Sequence, residues 1–124
     1  MDNNESEMGR KNTCDFSYLS EMMGGKKNLI LGIMDAFLDQ IPEELISINE
    51  AVTKANHAII KSVAHTMKST VSIMGIYSLE PILKEMEDLG SITGDIEKIR
   101  ALNLELNSIC KKAIEEVEKE KLNI

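Results

Sequence analysis

From Leu29 to Ile48, apolar side chains return every three or four residues: Leu29, Ile30, Ile33, Met34, Phe37, Leu38, Ile41, Leu45 and Ile48. A stripe that long belongs to an amphipathic helix, and a helix with one apolar face must bury it against other elements. No segment alternates apolar and polar residues with the period of a strand, so the partners are helices too. Pro42 falls inside the stretch. It removes one hydrogen bond and crowds the preceding turn, which predicts a bend near Asp39 to Ile41 and not a reversal of the chain.

Three more helical patterns follow. One runs from about His57 to Met74, with the Ala55-Asn56 break before it, Asn56 as N-cap and Gly75 as its left-handed stop. Ser78 is a candidate cap for the next, in which Leu79, Ile82, Leu83, Met86 and Leu89 face inward and Pro81 is tolerated in the first turn. Gly90 to Gly94 reads as a turn. Asp95 then opens a last helix with Ile96, Ile99, Leu102 or Asn103, Leu106, Ile109 or Cys110, Ala113 and Val117 on one side, and Glu115 to Lys121 as a charged, frayed end. Ahead of the long helix, Cys14 to Met23 reads as a short helix, capped by Asp15 or Ser17 and stopped by Gly24-Gly25. The expected fold is all-α: an antiparallel up-and-down four-helix bundle with a short extra N-terminal helix. Residues 1–14 are expected to be a disordered leader or linker, and 15–120 the bundle domain.

With 124 residues and only 3% aromatic side chains, the chain supports one core built of Leu, Ile, Val and Met, so Met67, Met74 and Met86 read as core filling. The formal charge of −7, from 14 basic against 21 acidic residues, argues against a nucleic-acid backbone as partner. Cys14, in the polar leader, and Cys110, in a helix, suggest neither a disulfide framework nor a zinc site, and a reducing cytoplasm is expected. No apolar run approaches the roughly eighteen residues a membrane span needs, and the first residues lack signal-peptide character. No glycine-rich phosphate loop is present, so ATP binding is not expected. The pairs Glu43-Glu44, Glu85-Glu87 and Glu115-Glu116 read as a solvated surface.

The third pattern carries the chemistry. Its apolar side holds Ile60, Val63, Ala64, Met67, Val71 and Met74, while Ala58, Lys61, His65, Lys68, Ser69 and Ser72 gather on the other. An exposed imidazole on a rigid helix, beside small side chains, suits a nucleophile whose electrophile arrives on another protein. Lys68, one turn on and expected in water, can counter the charge on phosphoryl oxygens. His57 stands about 12 Å from His65 by helical rise, too far to share a metal, and reads as a surface or capping residue. Nearby serines lack a strained turn or oxyanion loop, so hydrolase chemistry is not expected.

The run Ala64-His65-Thr66-Met67-Lys68-Ser69, with Gly75 ten residues after the histidine, resembles the signature of histidine-containing phosphotransfer (HPt) domains. Tyr18 to Gly25 resembles the family's first short helix, Phe37-Leu38-Asp39-Gln40-Ile41-Pro42 the middle of its second, and Gly94-Asp95-Ile96 the start of its last. Ser69 stands where the family usually carries glycine, and serine is still small enough for close approach. The resemblance implies a relay: His65 accepts a phosphoryl group from the aspartyl phosphate of a receiver domain and passes it to another response regulator. The implied partners are receivers of a hybrid sensor kinase and of a downstream regulator, each bringing its own Mg²⁺, with a monomeric domain that needs no cofactor. Lys68 would be the counter-charge, and Lys61, Ser69, Ser72 and Gly75 the docking rim. The alternatives are the phosphoacceptor domain of a chemotaxis-type kinase and a non-catalytic helical interaction domain.

Overall fold

The computed structural model describes residues 12–124, which contain five helices: α1 (Ser17–Met22), α2 (Lys27–Thr53), α3 (His57–Ile73), α4 (Leu79–Ser91) and α5 (Ile96–Asn123). No strand occurs among the described residues. α2 packs on α3 and α5, and α4 packs on α3 and α5, so consecutive helices are neighbours and the ring closes between α2 and α5. The paired side chains run in opposite directions along the α2–α5 seam, as antiparallel packing requires. Asp35 meets Lys121 and Asn49 meets Asn107 between α2 and α5. The expected four-helix bundle with a short additional helix is what forms.

The core is made of the periodic residues. Met34, Ile41, Ile48, Ile60, Met67, Val71, Leu83, Met86, Ile99 and Leu106 are fully buried, and Met74 with them. The expected caps hold at two helices: the Asn56 side chain accepts from the N–H of Ile59, and Asp95 accepts from those of Glu97 and Lys98. Ser78 occupies the cap position of α4 without making a side-chain bond. α2 continues as helix through Pro42, whose ring faces solvent.

Four local readings need correction. Gly90 belongs to α4 and is buried, not part of the turn; the reversal comes at Ile92 to Gly94, where Thr93 takes a left-handed conformation with φ of 52°. The charged end of the chain is helical to Asn123, because Val117 is fully buried and anchors the last turns. Glu116 is no surface acid: its carboxylate accepts the backbone N–H groups of Thr13 at 2.6 Å and Cys14 at 2.8 Å. Cys14 is therefore a core residue, 5% exposed, and the N–H of Asp15 donates to the carbonyls of Met74 and Gly75. The part of the expected leader from 1 to 11 lies outside the described residues.

Burial pushes the thiols of both Cys14 and Cys110 up to about 12; after burial, the negative charge of Glu116 acts on the first and that of Glu44 on the second. The folded values lie above the ordinary 9.0, so this contribution to stability is complete below pH 9 and is lost as pH rises toward 12. At pH 9 the native protein is expected to react with iodoacetamide at least about tenfold more slowly than the chain in denaturant, because the thiolate is the nucleophile. Equal rates would mean that the two thiols are not held in the core.

Candidate phosphotransfer site

α3 presents His65 as the periodicity requires: Ile60, Ala64, Met67 and Val71 are buried on its other side, and the imidazole is 69% exposed. The carboxylate of the site comes from α4. Glu87 Oε2 lies 2.8 Å from His65 Nδ1, and Glu87 Oε1 lies 2.6 Å from Lys68 Nζ. One carboxylate thus joins both residues of the sequence-derived site. Lys68 is not surrounded by water as expected but about one-third exposed and paired.

The charge states follow from these contacts. The hydrogen bond from Lys68 is the largest cause holding the Glu87 carboxyl below the usual carboxylate range; partial burial opposes it, and the bond to His65 adds to it. An ionised carboxylate only accepts, so Nδ1–H of His65 must donate. That fixes the neutral ring as the Nδ1–H tautomer and leaves the lone pair on Nε2. As Nε2 forms a bond the ring gains positive charge, and the carboxylate already in place on Nδ1–H stabilises it.

His65 and Thr66 form a ridge between two shallow depressions. The one toward α4, of about 560 Å³, is lined by Ala58, Lys61, Ser62, His65, Thr66 and Glu87. The one toward α2, of about 450 Å³, is lined by Gln40, His65, Thr66, Ser69, Thr70 and Ile73. Lys61 and Ser69 therefore border the histidine from opposite sides. Ser72 is half-buried and donates to Glu80 at 3.4 Å, outside both depressions. Gly75 is buried, has φ of 64°, and lies so close to the Asp15 carbonyl that it serves the N-terminal segment and not a rim around His65. His57, the other histidine, puts Nε2 2.8 Å from the carbonyl oxygen of Gly94, a tie between the start of α3 and the turn after α4.

Sequence reasoning missed Glu87, Gln40, Ser62 and Thr66. Glu87 did carry a signal: it follows the buried Met86 and precedes Gly90 by one turn, on the border of the apolar stripe, where a side chain reaches a neighbouring helix. Which helix it reaches depends on the bundle order. Among the described residues no cluster of His, Cys, Asp and Glu could hold a metal ion, and no helix is long and apolar enough to cross a membrane.

Comparison with known proteins bears on the fold and on the family. In fold the chain is similar to histidine-containing phosphotransfer protein B of Pseudomonas aeruginosa PAO1, with a TM-score of 0.82 over 93% of this chain and 99% of that one, at 19% identity. A search of curated proteins finds no match. The sequence profile of the Hpt domain matches residues 32–118, which include α3, α4 and the His65–Glu87–Lys68 contacts. The chain belongs to the Hpt domain family and is a histidine phosphotransfer domain of phosphorelay signalling.

Proposed function

We propose that His65 is the phosphoacceptor, and that its Nε2 attacks the phosphorus of a receiver-domain aspartyl phosphate. The N–P bond forms as the P–O bond to the aspartate breaks, and the aspartate leaves as a carboxylate. The reverse step on a second receiver completes the relay, from a hybrid sensor kinase to a downstream regulator. The observation that carries this reading is the 2.8 Å contact between Nδ1 and Glu87, which orients an exposed ring and leaves its other nitrogen free to attack.

Lys68 is the counter-charge in this reading. It is held on Glu87 in the resting domain and stands one helical turn from His65, within reach of incoming phosphoryl oxygens. Lys61 and Ser69 form the docking rim, one on each side of the ridge. Mg²⁺ and most of the remaining charge stabilisation come with the receiver, so this domain's contribution is position and orientation.

The test is incubation with a receiver carrying a labelled aspartyl phosphate. Label is expected on this protein as an adduct lost in acid and stable in alkali, and fragmentation should map it to the peptide containing His65. Label on any other peptide, or none, would overturn the assignment.

A further inference from the structure

Gly90 is the residue through which α4 touches the backbone of α3. A Cβ built on it would lie 2.9 Å from the His57 carbonyl oxygen, 2.9 Å from the Lys61 backbone nitrogen and 3.0 Å from the Lys61 Cβ. Two of those three atoms are backbone and cannot turn aside. Gly90 sits in the last turn of α4 without a positive φ, so its backbone conformation does not call for glycine. Close approach is what the glycine supplies.

That approach falls one turn from Glu87. Along the antiparallel seam, Gly90 meets His57 and Lys61, Glu87 meets His65 and Lys68, and Glu80 meets Ser72. Residues three apart share a helix face, so whatever sets the spacing at Gly90 also sets it at Glu87. The bond from His57 to Gly94 ties the end of α4 to the start of α3, which keeps that end from peeling away to absorb a change. Hydrogen bonds of 2.8 and 2.6 Å have little slack before their geometry fails.

We propose that Gly90 is a positioning residue for phosphotransfer: it sets the α3–α4 spacing that brings the Glu87 carboxylate onto His65 and Lys68. The proposal rests on His65 as phosphoacceptor. With a methyl group at position 90, α4 stands off from α3, Glu87 loses its hold on Nδ1, and the imidazole proton is free to occupy either nitrogen.

The experiment uses the full chain labelled with ¹⁵N, in which the ring nitrogen shifts of His65 report which nitrogen carries the proton. Gly90→Ala, Glu87→Ala, the double variant and Gly32→Ala are compared. Gly32 lies inside α2 with nothing within 4 Å of an added Cβ, so it controls for the helix preference of alanine. Gly90→Ala and Glu87→Ala are each expected to erode the Nδ1–H tautomer and to slow transfer from a phosphorylated receiver on the order of fivefold, with Gly32→Ala matching the unaltered chain in both. The double variant should be no slower than Glu87→Ala, because both changes remove one interaction. A folded Gly90→Ala with unaltered His65 shifts, or rate effects that multiply in the double variant, overturns the proposal. Should Gly90→Ala not fold, Glu87→Asp withdraws the carboxylate by one methylene with the helix contact intact; it must reproduce the change in His65, and unaltered shifts there overturn the proposal equally. The ring-nitrogen readout needs no phosphotransfer, so failure of the unaltered chain to accept phosphate would remove the phosphoacceptor reading while still deciding whether Gly90 holds Glu87 in place.

Discussion

Replacing His65 by glutamine is expected to abolish phosphorylation by a receiver, while His57→Gln keeps it. The two histidines lie on one helix, yet their surroundings differ in kind. His65 is exposed and oriented by a carboxylate, whereas His57 is half-buried with Nε2 committed to the Gly94 carbonyl. Glutamine has no ring nitrogen lone pair to attack phosphorus, so the loss at position 65 should reach the detection limit and not a fraction of the original rate. Folding should be nearly untouched, because the His65 side chain contributes little to the core and Ile60, Ala64, Met67 and Val71 carry the packing of α3. Thermal unfolding by circular dichroism checks the second half of the statement and receiver-dependent labelling the first. Residual labelling of a folded His65→Gln protein would place the acceptor elsewhere.

The largest effect on stability is expected at Gly75. A Cβ there would lie 2.2 Å from the Asp15 carbonyl oxygen, and the backbone φ of 64° already disfavours any side chain. The left-handed conformation costs alanine roughly 1 kcal/mol, and the collision must push the Asp15 segment off the end of α3. That segment carries Cys14 into the core and is pinned by Glu116, so its displacement exposes apolar surface and breaks hydrogen bonds together. Gly75→Ala should therefore destabilise by about 3 kcal/mol, a fall of roughly 10 °C in Tm for a domain of this size. Gly24→Ala is the matched control: φ is 61° but nothing lies within 4 Å of its added Cβ, so only the backbone cost of about 1 kcal/mol should appear. Equal losses in the two variants would show that the Asp15 contact contributes nothing.

The parts of the molecule legible in the sequence were those that depend on one helix at a time. The apolar stripe of α2, the N-caps Asn56 and Asp95, the left-handed Gly75 and the outward face of His65 all follow from spacing within a segment. What escaped depends on two segments meeting. By spacing alone Glu87 and Glu116 are surface acids and Gly90 a turn glycine, because an acid at the border of an apolar stripe looks the same whatever faces it, and a glycine does not show which backbone lies against it. Cys14 falls in the expected leader for the same reason: its neighbours in sequence are polar, and only the distant Ala113 and Glu116 show that it is enclosed. Helical phase puts Ser72 on the His65 rim and the family resemblance puts Gly75 there, and neither takes account of the Glu80 carboxylate that engages the one or the N-terminal segment that covers the other.

The three asparagines between α2 and α5 bear on how the bundle chooses one arrangement. Asn49 Oδ1 accepts from both Asn103 and Asn107 at 2.8 and 2.9 Å, Asn49 donates back to Asn107 at 3.0 Å, and all three amides are half-buried. An apolar seam is nearly indifferent to sliding, since one leucine or isoleucine replaces another a turn away. An amide trio is not: a one-turn slide of α5 would set these groups against apolar side chains with their hydrogen bonds unmade, at roughly 1–3 kcal/mol for each stranded group. Some packing energy is given up for a defined longitudinal setting of the last helix. Far along the same helix, that setting decides whether Glu116 arrives opposite the N–H groups of Thr13 and Cys14, so an amide cluster in mid-bundle acts as the vernier for closure at its end.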